Sequence, residues 1–294
     1  MRKLTYGNDS AILSSQKTDF MLFVPMMTAN QNFVINQRDS RFVEMEMTKN
    51  ILIGGISGGI GSALAKQLAT QSHRLYGFAR SFERLDALHN QLPNIQTESC
   101  DASDPVALSD VFTKAHEAMG SIDVYVHAIG SILIKPAHLT QNDQWQDTLN
   151  LNLSSAFYAL KEAVARMQRQ GQGSLLFYSS TAARIGIANH EAIAASKAGI
   201  EALVRSAAAS YSNRNIRFNC IAPGLTDTDL AKPITSNPQA LEISKKMAPL
   251  NAIARAEDVA SLSAWLISDS AKFVTGQCFT IDGGLSATVP KPKA

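Results

Sequence analysis

Long hydrophobic runs are missing from this chain. No apolar stretch reaches the about 18 residues that a bilayer-spanning helix needs, so no membrane segment is expected. Cysteine is scarce: Cys100, Cys220 and Cys278 stand far apart among 294 residues. That spacing excludes a disulfide framework and a zinc-ligand cluster, and no metal is expected. Reduced structural thiols in a cytoplasmic protein fit it. An excess of one charge is also lacking, since 27 Lys and Arg face 25 Asp and Glu for a net charge of +2. No basic tract points to nucleic acid or a membrane surface, and no acidic block forms a tail. Aromatic residues make up only 7%, yet 45% of the chain is hydrophobic. That content suits a sizeable core and excludes disorder for most of the length. The length fits two average domains or one large α/β domain.

The chain divides unevenly. Residues 1–46 mix polar stretches with one apolar cluster, Phe20–Met27, interrupted by Pro25. The cluster is too short to span a membrane and lies too far from the terminus for a signal peptide. Two readings are open for this N-terminal extension: a leader that is poorly ordered or not native, with the natural start near Met47, or a real extension that packs on the body or a partner. Residues 290–294 read as a tail. Between them, 47–289 form one domain. Apolar runs at Asn50–Gly54, Leu75–Ala79, Val124–Ile129, Leu175–Tyr178 and Phe218–Ala222 read as strands. Amphipathic stretches at Ser62–Thr70, Pro105–Ala118, Trp145–Gln168, Ala194–Ser212 and Asp258–Ile267 read as helices. This alternation predicts an α/β fold: a doubly wound, Rossmann-type parallel sheet in three α/β/α layers.

The first strand runs into Gly54-Gly55-Ile56-Ser57-Gly58-Gly59-Ile60-Gly61. Glycines there let the backbone turn sharply and approach a pyrophosphate, and the following helix N-terminus favours anions. Gly55, Ser57, Gly59, Ile60 and Gly61 are therefore expected to bind a dinucleotide. The spacing Gly55-x3-Gly59-x-Gly61 resembles the T-G-x3-G-x-G turn of the short-chain dehydrogenase/reductase superfamily, with Gly54 in place of the Thr. The resemblance extends over most of 47–286.

An acid at the end of the second strand would accept the ribose 2′-hydroxyl of NAD. The strand ends instead in Phe78-Ala79-Arg80-Ser81. Arg80, with Ser81 beside it, suits a 2′-phosphate, so NADP(H) is expected in preference to NAD(H). Further on, Cys100-Asp101-Ala102 is read as the end of strand three, and Asp101 resembles the family residue that holds the adenine amino group.

Short-chain enzymes work with Asn, Ser, Tyr and Lys. Asn152 resembles the Asn whose backbone carbonyl holds a relay water. Ser180 resembles the Ser that hydrogen-bonds the substrate oxygen. Lys197, in Ala194-Ala195-Ser196-Lys197-Ala198-Gly199, resembles the Lys that binds the nicotinamide ribose. The family's Tyr falls on Ile193, which has no proton to give. Three replacements are open: His190 on a shared helix face with Ile193 and Lys197, then Tyr178, placed on a strand face with Ser180 by the period of two, then Glu191. The spacing His190-x2-Ile193-x3-Lys197 is similar to that of enoyl reductases, which carry Tyr at the first position. His127-Ala128-Ile129-Gly130 replaces the usual N-N-A-G, which is either enoyl-reductase-like or simple drift; Gly130 is kept at the cofactor.

After strand six, Pro223, Gly224, Thr226 and Thr228 resemble the segment that meets the nicotinamide amide, and Asp227–Met247 reads as a substrate lid. The last strand and its turn, Val274–Gly284, imply a homo-oligomer, dimer or tetramer, by resemblance. The resemblance thus implies an NADP(H)-dependent oxidoreductase acting on a carbonyl, alcohol or polarised alkene of a small molecule. Its rivals are a non-catalytic NADP-binding regulatory or scaffold protein, an enoyl-reductase-like enzyme with His190 as donor, and a lyase or isomerase using the cofactor structurally.

Overall fold

The computed structural model describes residues 48–289. The readings of 1–46 and of 290–294 lie outside the described residues. Chain order runs β1 (Asn50–Gly54), α1 (Gly59–Ala69), β2 (Arg74–Ala79), α2 (Phe82–Gln91), β3 (Gln96–Ser99), α3 (Pro105–Met119), β4 (Val124–His127), α4 (Asn142–Leu149), α5 (Ser155–Gln170), β5 (Gly173–Tyr178), α6 (Glu191–Tyr211) and β6 (Ile216–Pro223). It continues through β7 (Thr226–Asp227), α7 (Lys232–Thr235), α8 (Pro238–Met247), β8 (Ala254–Arg255), α9 (Ala256–Ile267) and β9 (Cys278–Ile281).

Seven strands form a parallel sheet in the order β3-β2-β1-β4-β5-β6-β9. Successive side chains along a strand point to opposite faces, so each central strand feeds two cores. Leu52, Phe78, Tyr125, Phe177 and Phe218 pack against α3, α5 and α6. Ile51, Ile53, Val126, Leu176 and Ile221 pack against α1, α2 and α9. The chain reverses its winding between β1 and β4, which opens a crevice at their carboxyl ends. There the glycine turn sits.

The sequence reading differs from the structure at particular places. α2 was not expected: only Leu85 and Leu88 are buried among its ten residues, too few for a periodic signal. Its start is fixed instead by the Ser81 hydroxyl, which accepts from Arg84 N–H at 3.3 Å. Strand three ends at Ser99, before Cys100-Asp101-Ala102. The single helix expected over 145–168 is interrupted, because α4 passes into a π-helical turn at Asn150–Ser154 before α5 begins. Apolar periodicity does not register such a turn, since it inserts one residue without changing the buried face much.

Gly55 is constrained twice over. Its φ is +77°, and a Cβ there would overlap the Ala128 carbonyl at the end of β4. Gly55→Ala should therefore cost about 2–4 kcal/mol of stability, through positive φ and the clash together. Urea melts measure this, and a loss below about 1 kcal/mol would show that the turn relaxes.

Candidate active site

The glycine turn is built by β2 as well as β1. The Phe78 carbonyl accepts from Gly55 N–H at 2.8 Å and from Ile56 N–H at 3.3 Å. α1 then starts at Gly59 with Gly58 as its cap, no capping side chain and no acid in its first turn. Its N–H groups and dipole are thus directed at the crevice, the arrangement that holds a phosphate. Ser57 and Ile60 stand half-buried on this turn. Thr228 closes it from above: a Cβ on Gly59 would overlap the Thr228 methyl. That contact brings the segment after Pro223 to the cradle. Pairing of β7 with β8 pins both ends of the lid, at Thr226–Ala254 and Asp227–Arg255. The cradle fits a dinucleotide pyrophosphate.

At the far end of the crevice, Arg80 is exposed and close enough to Asp101 to lower its pKa. Burial opposes that lowering, but Asp101 is held down by the Ser103 N–H at 2.9 Å and the Ser103 hydroxyl at 2.7 Å. One Asp101 oxygen is therefore committed to its own turn, while Ala102 beside it is buried. Asp104, not Asp101, caps α3. Ser81 is doubly engaged, as the α2 cap and as a donor to Glu83 at 2.8 Å. A carboxylate thus does stand near the second strand's end, two residues beyond Ser81 and held below its usual pKa by that hydrogen bond. Arg84 follows it and pairs loosely with Asp229 of the lid at 3.5 Å.

The centre of the site lies where β4, β5, α6 and the π turn meet. Lys197 is buried, and its ammonium donates to the Tyr178 carbonyl at 2.9 Å. A Cβ on Gly130 would stand 3.1 Å from that nitrogen and 2.8 Å from Asn152 Oδ1. Only glycine fits there, so Gly130, Asn152 and Lys197 converge on one spot. Asn152 is fully buried on the π turn. Its side chain is held by Ser131, whose N–H donates to Oδ1 at 3.0 Å and whose hydroxyl accepts from Nδ2 at 2.8 Å. Nδ2 also donates to the Thr148 carbonyl at 2.9 Å. Ser131 was not singled out in the sequence; its only signal is a polar residue directly after Gly130. Burial lowers the Lys197 pKa from 10.5 to about 8. Ser180 follows β5 at the same edge, half-buried. Its hydroxyl accepts from Ala182 N–H at 3.2 Å and keeps its own proton to donate.

The three replacements for tyrosine separate clearly. Ile193 is buried on α6. His190 is the cap of α6, with φ −110° and ψ 17°, so the regular helix begins one residue after it and its side chain leaves the helical line of Ile193 and Lys197. Asn189, at φ 64°, forces that break. His190 Nδ1 lies 2.7 Å from the Ala188 carbonyl, which can only accept, so Nδ1 carries the proton and Nε2 is left for a ligand. Tyr178 is removed as a donor: its hydroxyl is buried against Ser263 at 2.7 Å on the α9 side of the sheet. Its pKa is pushed well up by burial. Glu191 is exposed in the first turn of α6.

His127 belongs to the scaffold. Burial, with the Lys197 charge, lowers its pKa to about 3, so the ring is neutral. The Ser155 hydroxyl donates to the Leu151 carbonyl, so it accepts from His127 Nε2–H at 3.1 Å. Nδ1 then accepts from the Tyr125 hydroxyl at 2.7 Å. The histidine thereby ties β4 to the end of the π turn.

Comparison with known proteins places these features in a family. A family model described as enoyl-(acyl carrier protein) reductase matches residues 55–286. The 3beta-hydroxysteroid dehydrogenase 1 of Eggerthella lenta is 28% identical over 244 residues, 81% of this chain and 94% of that one. The 3-oxoacyl-[acyl-carrier-protein] reductase FabG of Staphylococcus aureus is 29% identical over 252 residues, 82% of this chain and 99% of that one. A short-chain type dehydrogenase/reductase from Mycobacterium ulcerans superposes with a TM-score of 0.78 at 28% identity, covering 82% and 91% of the two chains.

The depressed Lys197 pKa has a measurable consequence. Below about pH 8 the native ammonium is charged and its burial costs stability at a constant level. Between about 8 and 10.5 the native lysine is neutral while the unfolded one still binds its proton, so stability rises with pH. Wild type should therefore gain on Lys197→Met across that window, by roughly 3 kcal/mol in all. Urea melts of both proteins at several pH values test this; a difference that stays flat would show that the ammonium is solvated.

Proposed function

Because this chain belongs to the short-chain dehydrogenase/reductase superfamily, matching its enoyl-(acyl carrier protein) reductase model over residues 55–286, we propose that it is an NADP(H)-dependent oxidoreductase. Its substrate is a small molecule with a carbonyl, an alcohol or a polarised alkene. The observation that carries this reading is the convergence of Gly130, Asn152 and Lys197 beside the glycine cradle. The named relatives are a steroid dehydrogenase and an oxoacyl-carrier reductase. Their shared chemistry is alcohol–carbonyl interconversion.

The nicotinamide, when bound, supplies or takes the hydride. Gly55, Ser57, Gly59, Ile60 and Gly61 hold the pyrophosphate. Arg80 meets the 2′-phosphate, with Ser81, Asp101 and Ala102 shaping the adenosine end. Pro223, Gly224, Thr226 and Thr228 cover the nicotinamide end. Lys197 binds the ribose hydroxyls, the Asn152 backbone carbonyl holds a water, and the Ser180 hydroxyl donates to the substrate oxygen. His190 handles the proton that tyrosine handles elsewhere. With Nδ1–H tied to the Ala188 carbonyl, His190 presents Nε2 to the substrate, where it would take the proton during oxidation. Reduction needs a proton on Nε2, to be given to the substrate oxygen.

The second reading is a non-catalytic NADP-binding protein, favoured by Ile193 at the tyrosine position. Calorimetric titration with NADPH and NADH comes first. NADPH should bind more tightly, and Arg80→Ala should weaken it by about tenfold or more while sparing NADH. Equal affinity for both would remove Arg80 from the phosphate site. Turnover over a panel of ketones and enones then separates the readings. His190→Ala should lower it by about 10²–10⁴-fold. An unchanged rate would end the histidine assignment. Tight NADPH binding with no turnover by the wild type would establish the non-catalytic reading.

A further inference from the structure

β6 and β9 are parallel neighbours, and their register sets Cys220 directly opposite Cys278. Adjacent strands lie about 4.8 Å apart, inside the Cα separation of about 4.4–6.8 Å that a disulfide spans. Both thiols face the α5 and α6 layer, Cys220 fully buried and Cys278 half-buried. They lie in hydrogen-bonding contact. β9 is the last strand of the sheet, bonded within this chain to β6 alone. Within the chain, Cys278 is thus the less buried member of the pair and Cys220 the sheltered one.

The surroundings favour a reactive Cys278. Its thiol is held below the ordinary value by the Cys220 hydrogen bond and by the Arg184 guanidinium, against burial. The Cys220 thiol is pushed up by that same hydrogen bond and by burial. Arg184 spans the place, with Nη2 on the Cys278 carbonyl at 3.2 Å and Nε on Glu201 at 3.1 Å. The Ser179 hydroxyl bonds Glu201 at 2.9 Å and the Lys197 carbonyl at 3.1 Å, so the array reaches the helix that carries Lys197. Cys100 has no such setting. It sits beside β3, far along the sheet, with its pKa pushed up to about 11 by burial.

We propose that Cys220 and Cys278 form a modification site, a dithiol that a hydroperoxide oxidises to a disulfide. The Cys278 thiolate attacks the hydroperoxide, the O–O bond breaks, and the alcohol or water leaves with a proton. Cys278 is then a sulfenic acid. Cys220 gives up its proton as its sulfur attacks Cys278, and the hydroxyl leaves as water. The two thiols are oxidised by two electrons in all, and the peroxide is reduced by the same two.

Hydrogen peroxide applied to the intact protein, followed by alkylation in denaturant and peptide mapping of the cysteines, tests this. A reducible Cys220–Cys278 linked peptide should appear, with alkylation of both falling about tenfold and Cys100 unchanged. Cys220→Ser should stop at the sulfenic acid, captured by dimedone on Cys278. Cys220→Ala repeats that trap if the serine variant unfolds. Cys278→Ser should leave Cys220 alkylatable. Both cysteines staying fully alkylatable in wild type would overturn the proposal. So would oxidation at Cys100 instead, or Cys278 passing to sulfinic acid without linking to Cys220.

Discussion

A buried ammonium organises this molecule's centre. Lys197 sits under the end of β5 with one protein acceptor, the Tyr178 carbonyl. Three residues crowd close to that charge. Gly130 lacks the Cβ that would meet it, and the amide of Asn152 stands beside it on a π turn that a plain helix would not provide. His127, a few residues before Gly130, stays neutral with that charge nearby, and its two hydrogen bonds hold the π turn against β4. The local geometry thus follows from a single electrostatic demand: one cation taken out of water needs dipoles already in place.

That demand explains why the departures from the family pattern fall into two kinds. His127 replaces an expected asparagine and carries a structural load, with all its ring nitrogens bonded inside the core. Ile193 replaces the expected tyrosine and carries none: it is an apolar residue packed on α6. The first substitution rebuilds a connection between β4 and α5. The second removes an ionisable group from the site and returns nothing polar at that position.

Much of this was legible in the sequence. The apolar strand runs and the glycine turn marked the sheet and its crevice, because burial on both faces and a close backbone approach each leave strong local signals. Asn152, Ser180 and Lys197 were placed by motif, and the structure sets them at one edge of the sheet. What stayed hidden was decided by side-chain direction and single backbone angles. Helical spacing put His190 in line with Lys197, but Asn189 in the left-handed region ends the helix before it. Strand alternation put Tyr178 with Ser180, yet the chain leaves β5 between them and the tyrosine stays beneath the sheet against Ser263. Glu83 folding back on Ser81 also depends on a helix start that two apolar residues did not announce.

The energetics bear on whether the centre is still used. Holding Lys197 with its pKa near 8 rather than 10.5 costs roughly 3 kcal/mol while the group is charged. Total stability of a domain is about 5–15 kcal/mol, so this is a large standing cost. A methionine or leucine at position 197 would remove it and fill the same space. Gly130 adds a further cost, since its unfolded chain is freer than that of any residue with a Cβ. A fold serving only as a scaffold gains nothing from either. Both make sense where a ligand with hydroxyl groups completes the coordination of the ammonium, as a dinucleotide's ribose would under the function proposed above. The ammonium and the glycine beside it are thus both kept at a cost, while position 193 on the same helix carries no ionisable group.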